Sequence, residues 1–186
     1  MSDIPKGRVN LEKAAILLLS PPTSMQLLTR IFHGFGVRHP YRCFEQGRAM
    51  EVCREADLDI IVCDGSFPNG EAYDFISALR RSDIEPNRYV PVMVIQGHTP
   101  VDQIHKARDC GANFVVAKPI TPRLLLERVL WIAQESRPFI ELDGYVGPDR
   151  RFQNLGPPGG AGTGRRRTDR VDALSKPAVD PQESII

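Results

Sequence analysis

The sequence has no run of 18 apolar residues, so a membrane-spanning helix is not expected. It has no Cys-x-x-Cys pair among its four cysteines, Cys43, Cys53, Cys63 and Cys110. Zinc-ribbon and dithiol chemistry are therefore poor fits, and buried free thiols in a reducing cytoplasm are the expectation. No Gly-x-Gly-x-x-Gly follows the first apolar run, which argues against a dinucleotide fold. Charge of one sign is also missing: 24 Lys and Arg face 23 Asp and Glu, a formal net charge of +1, so bulk electrostatics selects no partner. His33, His39, His98 and His105 fall on separate elements and share no ligand spacing. The N-terminal segment lacks a cleavage pattern, and its short apolar run ends in Pro-Pro like a buried strand.

What is present is alternation. Short apolar runs at Ala14–Leu19, Val37–Phe44, Asp59–Cys63, Pro91–Ile95 and Phe114–Ala117 read as five strands. Between and after them, Ser24–Phe35, Gln46–Ala56, Ala72–Arg81, Val101–Cys110 and a Leu-rich segment from Thr121-Pro122 to Gln134 carry helical spacing. The strands are apolar throughout rather than alternating, as strands buried on both faces should be. The pattern predicts an α/β fold, a doubly wound five-stranded parallel sheet with flanking helices. Residues 1–12 read as an N-terminal extension and 13–136 as the folded domain. Residues 137–186, dense in Gly, Pro and Arg, read as a largely disordered tail with a short ordered piece around Phe139–Phe152.

In such a sheet ligands sit beyond the carboxyl ends of the strands. Asp64, Gln96 and Lys118 each lie at or just past such an end, which places them on one rim. A carboxylate facing a fixed lysine suits aspartyl phosphorylation, because the lysine neutralises phosphoryl oxygens. The same pair also suits a plain rim salt bridge.

Three segments together resemble the receiver domains of bacterial two-component response regulators. "DGSFP" resembles the acceptor aspartate and its D-x-x-x-P loop, "PVMVIQGHT" the fourth strand and its loop, and "GANFVVAKPI" the fifth strand with its Lys-Pro. The resemblance spans roughly Lys13 to Glu135. It implies a flavodoxin-like receiver fold, Asp64 as phosphoacceptor, and Lys118, Gln96 and Ser66 as phosphate contacts. It also implies no enzyme activity, a histidine kinase or downstream regulator as protein partner, and a cytoplasmic location; a homodimer is compatible with it.

The departures are as specific as the matches. Where the family carries an acidic pair after the first strand, this chain has Leu19 and Ser20. What remains is at most a weak Mg2+ site made of Asp64, the Ser66 carbonyl and Ser20 through water. Gln96 replaces the family's small hydroxyl residue, and Val115 its aromatic residue; the neighbouring Phe114 should face the other way. These changes favour an atypical or pseudo-receiver acting by protein contacts, with impaired or absent Mg-dependent phosphorylation. The alternative is a working phosphoacceptor switched by a histidine kinase. A second alternative places anion or cyclic-dinucleotide binding on the tail arginines Arg150, Arg151, Arg165, Arg166 and Arg167. No folded DNA-binding module fits in the residues that remain. The family's usual partner face corresponds to roughly residues 101–135.

Overall fold

A computed structural model describes residues 11–67, 70–97, 106–107, 109–134, 138–142 and 144–149. The elements run β1 (Ile16–Leu19), α1 (Pro22–Gly34), β2 (Tyr41–Cys43), α2 (Gln46–Glu55), β3 (Ile60–Asp64), α3 (Glu71–Arg81), a 3-10 turn (Asn87–Tyr89), β4 (Val92–Gln96), β5 (Phe114–Ala117), α4 (Pro122–Gln134), β6 (Phe139–Leu142) and β7 (Tyr145–Pro148). The first five strands form one parallel sheet in the order β2-β1-β3-β4-β5. Most of the helix expected at Val101–Cys110 lies outside the described residues, although residues 106–107 and 109 are helical.

The apolar strands have the predicted consequence. Every residue of β1, β3 and β4 is buried, and alternate side chains feed two cores. Ile16, Leu18, Val62, Met93, Ile95 and Val116 pack with α1 and α4 on one face. Leu17, Leu19, Ile61, Cys63, Val92 and Val94 pack with α2 and α3 on the other. All four cysteines are buried free thiols. Burial pushes Cys43 up to about 11 and Cys53 up to about 12, so both stay protonated near neutrality.

One boundary differs from the sequence reading. Helix α1 starts at Pro22, because the ring suits the first helical position, where no N–H is needed. Strand β2 is the short strand expected within Val37–Phe44: Gly36, at φ 98, turns the chain after α1, and Pro40 offers no N–H to the ladder.

The far edge of the sheet is tied by Arg80, which is fully buried at the end of α3. Its Nε donates to the Gly111 carbonyl at 3.0 Å, and Nη1 donates to the carbonyls of Arg88 at 2.6 Å and Val90 at 2.8 Å. Nη2 donates to Asn113 Oδ1 at 2.9 Å. The segments leading into β4 and β5 are thus pinned to α3. The antiparallel pair β6–β7 adjoins this hub: the Arg80 guanidinium lies 5.3 Å from the centre of the Phe139 ring, and a Cβ at Gly111 would run into the Val146 carbonyl.

Candidate functional site

Strands β1, β3, β4 and β5 deliver the site to the carboxyl edge of the sheet. Asp64 ends β3 and is fully buried. Lys118 directly follows β5, held by its N–H donating to the Gln96 carbonyl at 2.6 Å. Its Nζ donates to Asp64 Oδ1 and Oδ2, each at 2.9 Å, and to Ser66 Oγ at 2.9 Å. The ammonium therefore spends its three protons on this one corner.

The carboxylate is equally occupied. Besides Lys118, Oδ1 accepts the Ser66 N–H at 2.9 Å and Oδ2 accepts the Ser24 hydroxyl at 2.5 Å. A carboxylate offers about four lone-pair positions, and these contacts fill them. Burial alone would raise the Asp64 pKa; hydrogen bonds from Ser24, Lys118 and Ser66 outweigh it and hold the carboxyl below the usual carboxylate value. Asp64 is thus ionised at neutral pH.

Of the residues proposed from sequence, Asp64, Lys118 and Ser66 touch one another. Ser20 reaches the carboxylate only through Ser24, its Oγ lying 3.0 Å from Ser24 Oγ. Ser24 was missed. Its one signal was a hydroxyl in the first turn of a helix that begins at the carboxyl end of β1. Gln96 ends β4 one residue beyond Ile95, the register partner of Asp64. It is almost fully buried, and neither Oε1 nor Nε2 has a partner among the described residues. Val115 is partly exposed, while Phe114 packs edge-on against Trp131 at 5.0 Å on the opposite face, as alternation predicts. Pro68 and the five tail arginines, Arg150, Arg151, Arg165, Arg166 and Arg167, lie outside the described residues.

The donors do not fit a resident Mg2+. That ion wants near-octahedral oxygen ligands. Among the described residues no three His, Cys, Asp or Glu side chains cluster, and the one carboxylate at this corner is already saturated. Nor is any helix of the described residues long and apolar enough to cross a membrane.

Comparison with known proteins follows the same lines. Residues 21–130 match the family described as the response regulator receiver domain. The chain is 25% identical over 103 residues to Histidine kinase 1 of Arabidopsis thaliana, covering 52% of this chain and 8% of that protein. It therefore spans under a tenth of that relative's length. Among solved structures, the signal receiver domain of a signal transduction histidine kinase from Syntrophus aciditrophicus superposes with a TM-score of 0.58 at 20% identity, covering 69% of this chain and 98% of that one. The receiver domain of the sensor histidine kinase PA1611 from Pseudomonas aeruginosa, which carries magnesium in its active-site cleft, gives 0.59 at 19% identity over 66% and 98%.

Proposed function

The chain belongs to the response regulator receiver domain family, and from that premise we propose that Asp64 is a phosphoacceptor, switched by a partner histidine kinase and read out through protein contacts. The module is a signalling unit and not an enzyme. In the transfer, an Asp64 carboxylate oxygen forms a bond to phosphorus as the P–N bond to the donor imidazole breaks. The imidazole leaves with a proton from solvent, and the product is a mixed anhydride on β3. One observation carries this reading: Lys118 Nζ stands 2.9 Å from both Asp64 oxygens at the carboxyl edge. A cation fixed there is placed to neutralise phosphoryl oxygens as their charge reorganises. The Ser66 hydroxyl and the Gln96 amide, which has no partner among the described residues, are candidates to donate to them. Ser24 must release Oδ2, or Ser66 and Lys118 must shift, before either oxygen can attack.

That last requirement favours a second reading. A carboxylate with all four positions filled, and no acidic pair beside it, also suits a pseudo-receiver that docks without being phosphorylated. Incubation with acetyl phosphate, with and without Mg2+, followed by intact mass measurement separates the two. A phosphoryl adduct on the wild-type chain that is missing from Asp64→Asn supports the acceptor. No adduct in either chain leaves the docking reading.

A further inference from the structure

Two polar side chains near the acceptor loop have no partner among the described residues, and they lie on the same side of the sheet. The Tyr73 hydroxyl, on α3, is buried and makes no hydrogen bond among the described residues. It reaches under the acceptor loop: a Cβ built on Gly65, the residue after Asp64, would sit 2.7 Å from the Tyr73 oxygen. The same position lies 3.4 Å from the Ile95 carbonyl and 3.4 Å from Val94 Cγ1. The Gly65 N–H is itself held by the Ile95 carbonyl at 2.8 Å. Tyr73 thus touches the loop that carries the acceptor, and glycine is the residue that leaves room for it. The second orphan is the Gln96 carboxamide. Tyr73 packs in the core that holds Val92 and Val94, and alternation along β4 turns Gln96 to that face, one side-chain repeat beyond Val94.

Buried polar groups without partners are uncommon and costly, so three such atoms around one loop need a reason. We propose that Tyr73 is a positioning residue of the acceptor loop and that, with Gln96, it relays the state of Asp64 to α3. When a phosphoryl group is present, Gln96 Nε2 donates to one of its oxygens and Gln96 Oε1 accepts the Tyr73 hydroxyl proton. Each of the three orphaned atoms then has a partner, and the Tyr73 ring moves with the carboxamide. The relay replaces a hydroxyl on β4 and an aromatic ring on β5, which this chain lacks at Gln96 and Val115. It delivers the signal to α3, where Tyr73 also lines a surface cleft of about 290 Å³ with Asp74, Ser77 and Lys106.

This inference rests on the phosphoacceptor reading, and two readouts keep the two apart. The full chain, Tyr73→Phe and Gln96→Leu are each treated with acetyl phosphate. Intact mass gives the phosphorylated fraction, and amide NMR shifts over Glu71–Arg81 give the response of α3. The expected result is that wild type and Tyr73→Phe reach a similar phosphorylated fraction, that Gln96→Leu, which loses a donor to the phosphoryl group, reaches a lower one, that the wild-type α3 amides shift, and that both variants lose at least about five-fold of that shift per phosphorylated chain. Tyr73→Phe removes an unpartnered hydroxyl and keeps the ring, so its folding is expected to match wild type. Wild-type shifts in both variants would overturn the relay and leave the acceptor standing. No adduct on the wild-type chain would overturn the acceptor reading and the relay with it.

Discussion

Two buried charged side chains mark the two ends of the sheet, and they are satisfied in different ways. At the carboxyl edge, Asp64 meets a cation that is itself about a third exposed, one serine hydroxyl and one backbone N–H. At the other edge, Arg80 meets three backbone carbonyls and one side-chain amide. Burial lowers the Arg80 pKa to about 10, which still leaves the guanidinium charged near neutrality. Neutral acceptors fixed by the backbone cannot leave, so the Arg80 end is built to stay as it is. The Asp64 end is held mostly by side chains, one of them open to solvent, which can exchange for a ligand. A buried charge thus serves structure at one edge and, under the proposed function, chemistry at the other.

The comparison is sharpest in stability. Arg80→Ala removes the donor from four acceptors and opens a cavity, so urea unfolding should show a loss of about 3 kcal/mol or more. Equal losses for Arg80→Ala and Asp64→Asn would break the contrast. Ser20→Asp restores one anionic oxygen beside Asp64; acetyl phosphate labelling should then become Mg2+-dependent, about ten-fold faster with the ion than without it. Asp64→Asn should cost only about 1 kcal/mol at neutral pH, because the freed Lys118 ammonium can reach water. Its pH dependence has a fixed sign. The folded Asp64 pKa is depressed, so its contribution is whole above about pH 4, where the unfolded carboxyl is ionised, and is lost as pH falls towards the folded value. The gap between wild type and Asp64→Asn in unfolding free energy should therefore narrow in acid. The smallest effect belongs to Ser24→Ala, which should cost under about 1 kcal/mol and speed labelling a few-fold by freeing a lone pair on Oδ2.

Legibility in the sequence divides along the same line. Strand ends are readable because a continuous apolar run stops at one residue, and that residue lands on a predictable rim; Asp64 and Lys118 were found this way. The sheet itself was readable from five such runs. Arg80 was not, because an arginine in the last turn of an amphipathic helix looks like a surface residue that complements the helix dipole. Only the convergence of Arg88, Val90, Gly111 and Asn113, brought together by the sheet, makes it a hub. Ser24 and Tyr73 were missed for a related reason. Each approaches the site from a helix, and helix-to-strand distances are set by packing rather than by spacing along the chain. The pair β6–β7 falls within the Phe139–Phe152 stretch, where the aromatic and apolar residues point to a short ordered piece amid Gly and Pro, and Tyr145 ties it internally by donating to the Pro148 carbonyl at 2.8 Å.

The central claim is that Asp64 carries the chemistry of this domain. Its most direct test is borohydride reduction of the acetyl phosphate-treated chain followed by peptide mapping, since an acyl phosphate on aspartate is reduced to homoserine. Homoserine at position 64, and only there, is the predicted result. An unmodified Asp64 peptide under conditions that label a known receiver domain would contradict it.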